Sequence, residues 1–234
     1  RNLATNFDPI NDRKQWAVTA AVTVDASDAL TFKSLTSYRS FDAIFFHDFD
    51  MSTYLGYPLA QTNALRSSAN HWQPAFQHQF SQELQANIET DKFHGVFGLF
   101  YLDENIRVEN HIGLDVLRNT DPFRIQFDGQ LDVKTWAAFA NVTYDLSDQL
   151  SLKGGARYSW EERRLRNNTG LGVAAQNRLV LDPLQWDATK SWDDFSPSLG
   201  LEFRPNDDLM LYGNWSRGFK SGTAEIGSTR RLSP

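Results

Sequence analysis

Gly213 and Gly218, followed by Lys220 and Ser221, nearly reproduce the phosphate loop G-x-x-x-x-G-K-[ST]. That loop needs its lysine directly after the second glycine and then a helix whose N-terminus faces the phosphates. Here Phe219 intervenes, "TAEIGSTRRLSP" offers no helical apolar face, and the upstream strand belongs to an antiparallel hairpin. Nucleotide binding is therefore excluded. The stretch "FFHDFD" sets His47, Asp48 and Asp50 together, a carboxylate and imidazole chemistry suited to a hard or borderline cation. No second set of ligands follows at metal-site spacing, and His71 and His78 stand in no haem-binding phrase. These residues read as a solvated loop, with no metal and no cofactor expected. G-x-S-x-G and H-E-x-x-H are both missing, and the histidines fall in or beside loops, so no enzyme is expected.

Composition says what must position such residues. The chain has 234 residues, a net charge of -6, 13% aromatic residues and no cysteine. A scattered acidic charge invites no nucleic acid, and the lack of cysteine removes disulfide scaffolds and thiolate metal sites. The longest apolar run, "GVFGLFYL" at 95 to 102, is far short of the ~18 residues of a membrane helix. A chain that is polar on average yet rich in Trp, Tyr and Phe must place its aromatics by alternation.

Alternation is what the sequence shows. Leu150, Leu152, Gly154, Ala156, Tyr158 and Trp160 oppose Ser151, Lys153, Gly155, Arg157 and Ser159. The same period of two recurs in 16 to 24, 80 to 89, 135 to 144 and 197 to 203, and less cleanly in 29 to 39, 93 to 104 and 209 to 219. About eight strands are expected. The tight turns "DASD", "TDK", "DLSD" and "PNDD" join them in pairs at intervals of about 60 residues. Long polar stretches at 42 to 78, 105 to 132 and 166 to 192 separate the pairs and read as loops. Short turns thus collect at one end of an up-and-down sheet and long loops at the other, the arrangement of outer-membrane barrels.

Strand length agrees, since a tilted strand needs ~9 to 11 residues to cross a bilayer. Lys33, Arg39, Glu83, Glu89, Lys153, Arg157, Glu202 and Arg204 occupy the polar parity and would line a wet lumen. Trp16, Tyr38, Phe80, Tyr144, Tyr158, Trp160, Phe203 and Trp215 suit interfacial girdles against outer-membrane lipid. A soluble β-sandwich, which also alternates, is the competing reading.

"LYGNWSRGFKSG" resembles a phrase common in the barrels of TonB-dependent receptors. "SLTSYRSFD", "QFSQELQ", "GARYSWEER" and "SPSLGLEFRPNDDLMLYGNWSRGFKSG" follow in family order. The resemblance covers nearly the whole sequence from about residue 16. It implies an all-β, antiparallel, up-and-down transmembrane β-barrel segment, about eight strands of a plugged barrel of about 22. An N-terminal plug, a TonB-contacting segment and a closing aromatic-ended strand are not found in the sequence. Residues 1–234 are accordingly expected to be part of a single barrel domain from within a larger receptor. A small closed barrel of about eight strands is the alternative.

The resemblance further implies active uptake in the bacterial outer membrane, with a ferric siderophore or similar chelate as cargo and the TonB complex as partner through the plug. Vitamin B12 or glycan uptake, a passive porin-like wall and an outer-membrane hydrolase are the other readings. Substrate contacts are expected from the long loops at Tyr54, Tyr57, Trp72, Arg178 and Trp186, which combine aromatic surface with hydrogen-bonding ends.

Overall fold

Two of the turns share one device. In Asp25-Ala-Ser27 and again in Asp145-Leu-Ser147 the register slips by a bulge. The serine Oγ then accepts from the backbone N–H two residues on, at Ala29 and Gln149, both at 3.3 Å. A hydroxyl on the returning strand, Thr31 or Ser151, donates to the aspartate at 2.8 and 2.5 Å. Asn206 repeats the motif by accepting from Asp208 N–H at 3.1 Å. Short polar side chains thus satisfy the backbone groups of a turn that would otherwise be left bare.

The computed structural model describes residues 8–48, 69–114, 123–173 and 178–222. They form β1 (Ile10–Ser27), β2 (Leu30–Asp48), β3 (Ala69–Glu89), β4 (Phe93–Val108), β5 (His111–Leu114), β6 (Phe123–Ser147), β7 (Leu150–Val173), β8 (Arg178–Asn206) and β9 (Leu209–Ser216). All pair antiparallel in one sheet of order β1-β2-β3-β4-β6-β7-β8-β9, with the short β5 wedged between the far ends of β3 and β6. Among the described residues β1 pairs only with β2, and β9 only with β8. The sheet has two open edges, which removes the small self-closed barrel.

Strands run well past the expected ends. Much of 42 to 78, 105 to 132 and 166 to 192, expected as loops, is ladder: β2 and β3 stay paired to Asp48 opposite Asn70, and β6 and β7 to Phe123 opposite Val173. A sequence such as Glu161-Glu-Arg-Arg-Leu-Arg-Asn-Asn shows no clean alternation because charged cross-strand pairs hold it together.

One face carries Trp16, Val18, Val22, Phe32, Leu84, Leu99, Trp136, Leu152, Leu199 and Trp215 on the same cross-strand parity. They are large and bare: Val18 is 61% exposed, Leu99 59% and Trp136 56%. No second layer covers them among the described residues, so the sandwich reading falls. Aromatics cross this face as a belt. Ring centroids lie 5.2 Å apart for Trp16 and Tyr38, 6.2 Å for Phe80 and Tyr101, and 4.3 Å for Tyr101 and Trp136. Tyr38 stands opposite Phe80, and Tyr158 opposite Phe195. A second aromatic pair, Phe93 opposite Tyr144, marks the short-turn end. From Trp136 to Tyr144 is roughly 26 Å of strand at ~3.3 Å per residue, about 20 Å of height at a barrel's tilt. That is close to the apolar band of an outer-membrane barrel.

Beyond the belt the faces exchange character. The parity that was apolar now carries Asp132, Arg164, Arg166 and Asp187, joined by Arg164 Nε to Asp187 Oδ1 at 3.0 Å and Arg166 Nη2 to Asp132 Oδ2 at 2.5 Å. The opposite parity buries Leu131, Val133 and Leu165 against Ile106. The outer surface thus meets water there, and the apolar side chains turn inward.

Candidate functional site: the luminal wall

Within the membrane band the inner parity holds the polar residues expected for a wet lumen, Lys33, Arg39, Glu83, Glu89, Lys153, Arg157 and Glu202, in continuous register from β2 to β8. Near the short turns they form a chain of ion pairs. His94 bridges Glu89 at 2.7 Å and Asp145 at 3.3 Å, while Glu202 accepts from Lys153 at 2.7 Å and Arg204 at 2.8 Å. Beside them a hollow of about 590 Å³ is lined by Lys33, Asn87, Asn141 and Asn214 together with apolar Val96 and Val142.

Higher on the wall, two carboxylates organise the chain that follows β9. Asp194, 8% exposed, accepts from Ser196 Oγ at 2.7 Å and from Arg217 Nη2 at 2.8 Å. Glu161 accepts from Arg163 Nε and from Ser221 Oγ, each at 2.6 Å. Arg217 N–H also reaches Pro197 O at 3.0 Å. The Ser-Arg-Gly-Phe-Lys-Ser segment is therefore drawn back from β8 to β7 across the luminal parity, where no nucleotide loop could form. Sequence inspection missed Asp194 and Glu161 because each sits in a polar stretch, and only the register brings them beside residues 217 and 221.

The candidate contact residues are dispersed. Tyr54 and Tyr57 lie outside the described residues. Trp72 lies on β3, not in a loop, with its ring 5.1 Å from that of His111 and on the parity of the aromatic belt. Arg178 and Trp186 also belong to a strand, β8, opposite Val173 and Asn167. Four strand spacings, roughly 19 Å, separate Trp72 from Trp186 across the sheet. His47 and His71 face each other at the far ends of β2 and β3, Nε2 to Nδ1 at 3.3 Å, and His71 Nε2 meets Asn110 Oδ1. His111 Nε2 lies 2.9 Å from Asp128 Oδ1. Burial pushes the Asp128 carboxyl up, but its hydrogen bonds to His111 and Gln126 outweigh this and hold it below the usual value. No group of three metal-ligating side chains occurs among the described residues.

An open antiparallel sheet, apolar and belted outside and charged inside, is the wall of a transmembrane β-barrel. Residues 1–231 match the family described as TonB dependent receptor-like, beta-barrel, and the chain belongs to that family. The Rhizobactin receptor of Rhizobium meliloti (strain 1021) is 29% identical over 96 residues, 38% of this chain and 12% of that protein. The ferric yersiniabactin uptake receptor FyuA of Yersinia pestis superposes with a TM-score of 0.70 at 20% identity, over 96% of this chain and 31% of that one. The Ferric-Catecholate import receptor Fiu of E. coli K12 does so with a TM-score of 0.59 at 13% identity, over 92% and 37%. The chain thus spans about a third of these solved receptors. The family is one of transport receptors.

Proposed function

We propose that this chain is part of the barrel wall of a bacterial outer-membrane receptor that takes up a ferric siderophore at the expense of TonB-transmitted energy. The observation that carries the reading is the charged lumen inside a belted, lipid-facing wall. Its family membership supports it, as do relatives whose names specify rhizobactin, ferric yersiniabactin and ferric catecholates. A luminal plug, outside residues 1–234, would be pulled by TonB from the periplasmic side and release cargo bound at the opposite end. Tyr54, Tyr57, Trp72, Arg178 and Trp186 are proposed as contacts for that cargo.

The test is uptake of radioactive iron by cells carrying the complete receptor, supplied as ferric rhizobactin, ferric yersiniabactin or a ferric tricatecholate, with and without TonB. TonB-dependent uptake of one chelate is expected. Uptake that persists without TonB would indicate a passive pore, and none of any chelate would end the siderophore reading. In the same receptor, replacing Trp72 and Trp186 by Ala should weaken cargo binding, and unchanged affinity by calorimetry would remove both residues.

A further inference from the structure

Some luminal cations in this wall are neutralised, Lys153 by Glu202, Arg163 by Glu161 and Arg217 by Asp194, while Lys33 and Arg39 make no ion pair among the described residues and Arg39 instead donates to Gln79 Oε1 at 2.8 Å. Arg157, midway between these pairs, makes no ion pair among the described residues. Its guanidinium carbon lies 5.7 Å from the Phe100 ring centre and 5.8 Å from that of Phe139, and its Nε donates to Ser159 Oγ at 3.0 Å. Aromatic faces hold a cation without neutralising it. The two Nη groups are thereby left to recognise an oxyanion, which a guanidinium does with two parallel hydrogen bonds.

The support is built from the backbone up. Gly98, Phe139 and Arg157 stand in one cross-strand row of β4, β6 and β7. The Phe139 ring lies flat on Gly98, where an added Cβ would collide with it. A side chain at 98 would therefore have to displace the Phe139 ring, one of the two that hold Arg157. In the next row Asn141 and Ser198, on either side of Gly155, line the hollow described above.

We infer that Arg157, seated on Phe100 and Phe139, is an oxyanion-binding site on the luminal path of the cargo, taking a carboxylate or phenolate group of the ferric chelate during passage. This rests on the uptake reading. The variants Arg157→Gln, Arg157→Lys and Gly98→Val in the complete receptor test it, with the same three ferric chelates as probes. Surface binding to de-energised cells, uptake by energised cells and sensitivity to a large antibiotic normally excluded by the outer membrane are measured together. Arg157→Gln should lower uptake about tenfold with surface binding and antibiotic exclusion unchanged. Arg157→Lys should recover part of the loss, and Gly98→Val should cost several-fold although it leaves the arginine in place. Wild-type uptake by Arg157→Gln would overturn the site alone, whereas a wild-type receptor that moves no chelate overturns the site and the uptake reading together. Antibiotic leakage in Arg157→Gln would also overturn it, because the arginine would then be holding a fixed carboxylate of the protein that fills the lumen.

Discussion

The same strands cross two environments, and their faces exchange roles between them. Below the aromatic belt Phe97 faces lipid while Val96 stands on the luminal parity opposite Asn141. Above it Leu165 is fully buried on the luminal parity while Arg164 beside it faces out and pairs with Asp187. The pleat is continuous, so backbone geometry is not what changes. What changes is the solvent outside, lipid in one region and water in the other, and each region hides its apolar side chains from its own water.

The contrast is broken most severely at the inward apolar cluster. Leu165→Ala should cost about 2–5 kcal/mol, whereas Arg164→Ala one residue away should cost far less because its pair with Asp187 is exposed. Urea titration of the complete receptor in vesicles measures both, and equal losses would mean that the faces do not exchange. Inside the band the order reverses. Phe97→Arg should destabilise by about 2–4 kcal/mol and Val96→Arg by no more than about 1 kcal/mol, since only the former puts a charge into hydrocarbon. Similar values by the same titration would remove the lipid assignment of this face. The belt itself gives a smaller effect: a double-mutant cycle on Tyr101 and Trp136 should return a coupling of about 0.5–1.5 kcal/mol, and a value near zero would make their contact incidental.

The smallest effect is electrostatic. The hydrogen bonds from Arg164 hold the Asp187 carboxyl below its ordinary value. A lowered folded pKa means that the stabilisation is present above the unfolded value, about 3.9, and is lost as pH falls through the folded one. The urea midpoints of the wild-type receptor and Asp187→Asn should therefore differ slightly at neutral pH and converge below about pH 4. A gap that widens in acid would contradict the pairing.

Much of the wall was legible in sequence because two of its signals are local. Turn chemistry at Asp25–Ser27 and Asp145–Ser147 needs only neighbouring residues, and a lipid-facing parity declares itself through Trp16, Val18, Val22 and Val24. The upper ladders were not legible. There Arg166 answers Asp132 and Arg164 answers Asp187 across strands, and the apolar parity has changed sides, so a search for one consistent face stops at the belt. The luminal parity was legible, Arg157 included, but the sites built on it were not. Gly98, Phe139 and Arg157 lie on three strands, and only the register places a glycine beneath a ring beneath a cation.

The length of those upper ladders bears on how anything is captured from outside. β6 and β7 remain paired from the belt at Trp136 and Trp160 as far as Phe123 and Val173. On the uptake proposed above, cargo arriving over this part of the receptor would meet backbone whose conformational freedom was already lost on folding. Association with a preorganised surface loses less entropy than association with loose loops, so this side of the mouth should capture cargo without first having to be ordered by it.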